Sequence, residues 1–474
     1  MKIAVLGGGI SGLSLSWYLR KNLGNSLKSL TCIEASRNPG GWVESRRYGE
    51  NKKFLFELGP HSMRPVGPNG LSVLQLIEDV GLEREALGTS NSSKNRYIRI
   101  NGEMEMLPTS LLGIFRSPLT NQLPFLAVSE LFTASRADND ESVHSFITRH
   151  FNARTADTLM DSMISGIFAG NIHTLSVKSC FRVLHDMEQK DRSIVLSILK
   201  SALFSPRVDF REQLKTDECK SLVGSTGISF TDGMQTLTDR LAEKINKTDK
   251  VEVNSTVVSL ERKTNDSLAS VTIEKEGKTE RIEADYIFST LPIRDLYRVL
   301  PKDLSSHIEE LNDSIDHVPV GVVNLGYGKE KLPYQGFGHL VPSSEKEGAL
   351  GMIYDSLVFP NQLKSDDGSV LTVMVGGHHA PEKALLKEED MIQFALKKIS
   401  EHLAITADPE EAIATSHIDC IPQYSVGHHE RMTGAVDKLK SCFPELEILG
   451  NNFYGVGIAD SIATAKRKAS EFML

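Results

Sequence analysis

Cysteine is scarce in this chain. There are five, at positions 32, 180, 219, 420 and 442, and no two form a C-x-x-C pair. An odd, scattered set excludes a disulfide framework and predicts reduced thiols. The cysteines and histidines show no metal-ligand spacing, and the doublets His378-His379 and His428-His429 point apart on either a strand or a helix. No metal is therefore expected. Also missing is any run of 18 strongly apolar, uncharged residues, which argues against an ordinary transmembrane helix. Positive charge is in deficit: 53 Lys and Arg stand against 62 Asp and Glu, a net charge of −9, with no long block of one sign. Nucleic acid is a poor partner for such a surface.

What is present describes a folded, multi-part chain. Its 474 residues leave room for two or three domains, and 40% hydrophobic with 24% charged residues is ordinary globular usage. KIAVL at 2–6 reads as a buried strand, GGGISG as a turn, SLSWYLRKNL as a helix, and SLTCIEA as a second strand ending in Glu34. Because this motif starts at residue 3, no cleaved presequence is expected. The stretch from about 104 to 205 reads as helical. Prolines 108, 118 and 124 divide its apolar 104–135 portion into short helices. The segment 205–228 reads as an irregular loop. Three strands are expected over 251–290, and three antiparallel ones over 319–378.

Gly7, Gly9 and Gly12 form G-x-G-x-x-G between a strand and a helix. The first permits the turn, the second lets backbone approach a pyrophosphate, and the third lets helix pack on strand. The N–H groups from Gly7, Gly8, Gly9, Ile10, Ser11 and Gly12 then face phosphate, and the Glu34 carboxylate suits ribose hydroxyls. From Glu34 to Gly40-Gly41 the sequence reads E-x5-G-G, and G-V-G-I-A-D opens a last helix. Both resemble the flavin amine oxidase superfamily, where that last helix points at the isoalloxazine.

Further blocks run in order: GGW at 40–42, FELGPHSMRP at 56–65, FAGN at 168–171, QGFGHLVPSSE at 335–345, MIYDS at 352–356 and IPQY at 421–424. Together they resemble the mitochondrial, oxygen-dependent protoporphyrinogen oxidase family along the whole chain. The resemblance implies an α/β (α+β) fold, with a Rossmann-like FAD domain interleaved with an antiparallel-sheet substrate domain and a helical membrane-binding domain. Its expected divisions are 1–90, 206–295 and 411–474 for FAD, 91–205 for the membrane and 296–410 for substrate. The implied reaction converts protoporphyrinogen IX to protoporphyrin IX with three O2 and three H2O2, in haem synthesis. The implied location is the mitochondrial inner membrane, peripheral or monotopic, on its intermembrane-space face. The resemblance leaves a homodimer open.

Residue by residue, the resemblance assigns FAD contacts to the glycine turn, Glu34, Trp42, Gly59, Pro60, His61, Ser62, Val257, Asn451, Val456, Gly457 and Ile458. Val257 is expected as a backbone contact near the adenine. His61 is a departure, since some relatives carry arginine there. Arg96 is expected to pair with a propionate, Gly170 to offer a carbonyl to a pyrrole N–H, and Phe337, Leu340, Ile353 and Met374 to sandwich the tetrapyrrole. No catalytic side chain is assigned, because flavin chemistry can proceed on positioning alone. A flavin amine or polyamine oxidase is the alternative, and a non-enzymatic FAD-binding module is a third reading.

Overall fold

The computed structural model describes residues 1–133, 139–204, 208–264, 267–364 and 368–473, without the Leu111 side chain. The first part of the 205–228 loop and the end of the 104–135 segment lie outside them.

The apolar run Lys2–Leu6 is the centre of a five-stranded parallel sheet. Tyr286–Ser289 and then Leu446–Ile448 lie on one side, Ser29–Ile33 and then Lys250–Glu252 on the other. A central parallel strand is apolar on both faces because both are covered. Ile3 and Val5 enter one core with residues of the helices Ile10–Leu23, Gln235–Ile245 and Ile458–Glu471. Ala4 and Leu6 enter a second core, with the helix His428–Cys442 and a three-stranded antiparallel sheet. The region 251–290 thus holds more strands than expected. Asn254, at φ 53°, breaks the first into Lys250–Glu252 and Thr256–Glu261. Val257 consequently lies in the antiparallel sheet.

A second sheet has seven strands, in the order Glu411–Pro422, His317–Tyr327, Ser369–Gly376, Ala349–Ile353, Gly338–Leu340, Tyr97–Ile100 and Glu103–Met106. All neighbours are antiparallel except Gly338–Leu340 with Tyr97–Ile100. Val323, Leu325, Met352, Val373 and Val375 form a core with the helix Glu388–Leu403. Three of its strands fall outside the stretch 296–410. The hairpin Tyr97–Met106 turns at Asn101-Gly102, both with positive φ, inside the 91–205 division expected for the membrane-binding part and mostly ahead of the stretch read as helical. Glu411–Pro422 pairs along His317–Tyr327, inside the stretch expected to complete the dinucleotide part.

Residues 111–204 add a layer of helices. The prolines do divide its apolar portion, into Leu111–Arg116 and Leu123–Glu130. The buried Glu130 carboxylate accepts from the Ile194 N–H at 2.8 Å and from Ser193 Oγ, and pairs with His150 Nδ1 at 2.7 Å. A carboxylate at this N-terminus satisfies orphan donors and complements the helix dipole, so it anchors the apolar helix Ile194–Phe204.

Candidate functional site

The carboxyl ends of the parallel strands gather the expected dinucleotide residues. Ligands of open α/β sheets bind there because helices begin and strand order reverses there. Leu6 leads into the glycine turn, Ile33 into Glu34, Ser289 into Thr290, and Ile448 into the turn carrying Asn451. Gly7 has φ +94°, and a Cβ on Gly12 would sit 1.9 Å from the Gly7 carbonyl oxygen. Gly9 differs: a Cβ there meets only Gly41, at 3.8 Å. The groove over Gly9 is therefore open, while Gly12 is needed for packing. The helix Ile10–Leu23 starts with neither a side-chain cap nor an acidic residue in its first turn. Its N–H groups can thus meet an anion, and the cradle fits a dinucleotide pyrophosphate.

Glu34 sits beside this turn. Its Oε2 accepts from the Gly8 N–H at 2.7 Å, and its Oε1 from the Ser36 N–H at 2.8 Å. Ser36 Oγ also donates to Oε1, at 2.7 Å, so of about four acceptor positions one, on Oε2, remains for a hydroxyl donor. The Gly40 N–H bonds to the Gly8 carbonyl at 2.8 Å, laying the E-x5-G-G loop along the cradle. Trp42 is exposed, and its carbonyl oxygen would be 1.9 Å from a Cβ on Gly59, so only glycine fits there. The Ser255 N–H donates to the Glu34 carbonyl at 2.9 Å, which keeps Val257 at the Glu34 end of the cleft. At the other end, the Gly455 N–H donates to the Tyr424 hydroxyl at 3.1 Å, and that hydroxyl donates to the Asn451 carbonyl. Tyr424 of the IPQY block thus clasps the turn ahead of Val456, Gly457 and Ile458. Those three are half-exposed, and Gly457 caps the last helix without a side-chain bond.

Pro60 and His61 lie where the two sheets meet. His61 is buried, with Nδ1 2.7 Å from Asp355 Oδ1 and no partner at Nε2. Burial works against charge on the ring, but Asp355 outweighs it and raises the His61 pKa from its ordinary value. Thr372 bridges Asp355 to Asn324, whose amide donates to the Glu57 carbonyl at 3.0 Å. Glu57 is itself buried and accepts from Ser45 Oγ at 2.6 Å and the Met234 N–H at 2.8 Å. Burial dominates there and lifts its pKa to about 7.

The expected substrate residues converge more sharply than alternation required. In Ser369–Gly376 every residue is buried except Met374, in Ala349–Ile353 every residue except Ile353, and in Gly338–Leu340 every residue except Leu340. Strand pairing places Leu340 beside Gly351, Gly351 beside Met374, and Ile353 beside Thr372. Directly opposed residues share a face. All three side chains therefore stand on one face, opposite the one packed on Glu388–Leu403. Phe337 precedes Leu340, and the Arg96 guanidinium lies over its ring. Burial first, and Arg64 second, lower the Arg96 pKa from its ordinary value. Neither Arg64 nor Arg96 pairs with a carboxylate among the described residues, and nothing in the sequence had singled out Arg64.

Gly170 follows the helix Asp161–Phe168, yet the left-handed cap is Ala169, at φ 47°. Glycine is needed at 170 because a Cβ would meet Gln423 Oε1 at 2.4 Å. Its carbonyl takes no hydrogen bond from a described residue.

The profile of "Flavin containing amine oxidoreductase" matches residues 10–471. Protoporphyrinogen oxidase of Bos taurus is 33% identical, covering 99% of this chain and 98% of that protein. Protoporphyrinogen oxidase of Homo sapiens is 33% identical, covering 98% and 97%. A crystal structure from Exiguobacterium sp. 255-15 superimposes with a TM-score of 0.80 at 21% identity, covering 99% of this chain and 98% of that one, and so shares the fold. A dinucleotide cradle at the strand ends and a full-length match on both sides of it lead to one placement: the chain belongs to the flavin-containing amine oxidoreductases and, among them, to the protoporphyrinogen oxidase family.

Proposed function

We propose that this chain is an FAD-dependent oxidase that converts protoporphyrinogen IX to protoporphyrin IX, with molecular oxygen as the acceptor. One observation carries the reading. Leu340, Ile353 and Met374 are the only unburied residues of their strands, they share one sheet face, and they sit beside Phe337 and Arg96. A flat apolar macrocycle with carboxylate arms needs such a slot, apolar within and cationic at its rim. An amine substrate would need the opposite charge.

FAD, when bound, supplies a two-electron acceptor, so removing six electrons takes three rounds and yields three H2O2 from three O2. The glycine turn, Glu34, Trp42, the segment Gly59–Ser62, Val257, Asn451 and the segment Val456–Ile458 are the residues that would hold it. Arg96 binds one propionate and sets the register of the ring. Leu340, Ile353 and Met374 exclude water and hold the macrocycle flat, which is the orienting part of catalysis. The Gly170 carbonyl accepts a pyrrole N–H. No side chain is assigned as a general base.

The reading extends to a monotopic place on the mitochondrial inner membrane, facing the intermembrane space. Phe125 is 75% exposed, Phe132 85% and Phe204 80%, and Leu112, Phe115 and Leu203 also face outward. Such a patch, on short helices that pack together, fits insertion of one face into a lipid interface. Among the described residues no helix is long and apolar enough to cross a membrane.

The test is turnover of the purified, flavin-loaded protein. Non-fluorescent porphyrinogen should become fluorescent porphyrin with three H2O2 per product, and a panel of amines should give none. Turnover of an amine with an inert porphyrinogen would overturn the reading.

A further inference from the structure

We propose that His144, Asp157 and His173 hold one divalent transition-metal ion of the zinc class. They come from three separate pieces of the helical layer: His144 from the helix Val143–His150, Asp157 from the wide turn Ala156–Met160, and His173 from the turn that follows Gly170. One ligand atom from each lies within 4.8 Å of the other two. His144 Nε2 and Asp157 Oδ1 are 3.2 Å apart, and the two imidazole rings are 4.1 Å apart. Zinc binds nitrogen and carboxylate oxygen at about 2.0–2.2 Å in a tetrahedron, whose edge is then about 3.3 Å. One edge is thus already formed, and rotation of the exposed His173 side chain closes the others.

The backbone beneath is braced. The His144 N–H bonds to the Ile172 carbonyl at 2.9 Å, and the His173 N–H to Asn171 Oδ1 at 2.9 Å. Two imidazoles and one carboxylate suit zinc and its neighbours rather than calcium or magnesium, which favour all-oxygen sets. Local charge agrees. The other His–carboxylate group, Glu347, Glu401 and His402, is neutralised by Arg99 and Lys398. Among the described residues Asp157 pairs with no lysine or arginine. Asp157 and His173 are exposed, so the metal can enter and a fourth position stays open to water. An ion there joins the helix Val143–His150 to the turn that carries Gly170, without touching the dinucleotide cradle.

The experiment uses the flavin-loaded full chain, stripped with EDTA and titrated with Zn2+ against a chromogenic chelator. One equivalent should bind in the micromolar range or tighter. His173→Ala and Asp157→Asn should each weaken binding at least tenfold while leaving the flavin-to-protein ratio unchanged. Zn2+ should raise the thermal midpoint of the wild type and leave that of His173→Ala in place. Absence of stoichiometric binding, or full binding by His173→Ala, overturns the assignment. So does loss of binding in Cys442→Ser alone, since Cys442 Sγ lies 3.6 Å from His307 Nε2 and offers a second nitrogen–sulfur pair.

Discussion

The guanidinium of Arg96 lies 4.9 Å from the centre of the Phe337 ring, at the end of the strand that carries Leu340. Stacking orients the cation and leaves its N–H edge free, since no carboxylate of the described residues takes it. Arg96→Ala should lower kcat/KM for the porphyrinogen roughly 10- to 150-fold, the loss of about 1.5–3 kcal/mol from one charge-assisted pair. Flavin content should not change. A porphyrinogen diester should lose much less than the diacid, and equal losses would show that Arg96 reads no carboxylate.

Gly9→Val places a side chain in the open groove, where the nearest neighbour is 3.8 Å away. The protein should fold and lose its flavin, which the ratio of visible to ultraviolet absorbance reports. Gly12→Val must displace the Gly7 carbonyl and should fail at folding instead. A yellow Gly9→Val protein would remove the cradle from the cofactor site.

Tyr424→Phe removes the hydroxyl that accepts from the Gly455 N–H and donates to the Asn451 carbonyl. Two part-buried backbone groups lose their partner, at a cost of about 0.5–1.5 kcal/mol for each hydrogen bond. Thermal stability should fall, and flavin should dissociate faster on dilution, because the loosened turn leads into Val456 and Gly457. Unchanged flavin off-rates would place the clasp outside the site.

Glu57 governs one part of the pH profile. Its pKa rises from an ordinary value of 4.5 to about 7 on burial. A carboxyl whose pKa is raised by folding binds more protons folded than unfolded between those values. Stability therefore falls as pH climbs from about 4.5 to 7, and this contribution is flat above. Glu57→Gln should lose less thermal stability than the wild type between pH 5 and pH 8, read by melting at both. Parallel losses in the two proteins would assign the slope elsewhere.

The double variant Phe125→Glu/Phe132→Glu should stay folded and flavin-loaded, because both rings are exposed. It should cease to float with anionic liposomes that carry the wild type upward. Leu119, half-buried, is the poorer probe, since its replacement disturbs packing as well as the surface. Equal flotation of both proteins would move the docking face off these helices.

The local pattern was enough for the dinucleotide part. Its information is short-range: an apolar strand, three glycines at fixed spacing, an acid at the end of the next strand, and a glycine-led last helix. Proline spacing likewise predicted the broken helices of the 104–135 segment. The hairpin at Asn101-Gly102 had a legible signal, an Asn-Gly turn between YIRI and EMEM, but so short an element is overshadowed by the apolar helices after it. Glu411–Pro422 was harder, being a half-exposed edge strand without a continuous apolar run.

Only tertiary structure could show that Leu340, Ile353 and Met374 share one face, because each strand alternates but sheet pairing decides which alternates meet. It also decided that Ala169 rather than Gly170 takes the left-handed cap, with Gln423 closing over Gly170. The meeting of His144, Asp157 and His173 is likewise a product of helix packing. The chain alone determined which backbone could fold around a dinucleotide, since that rests on steric rules within a few residues. Which side chains face each other across the cleft depends on register and packing between segments far apart in sequence, and no local spacing encodes that.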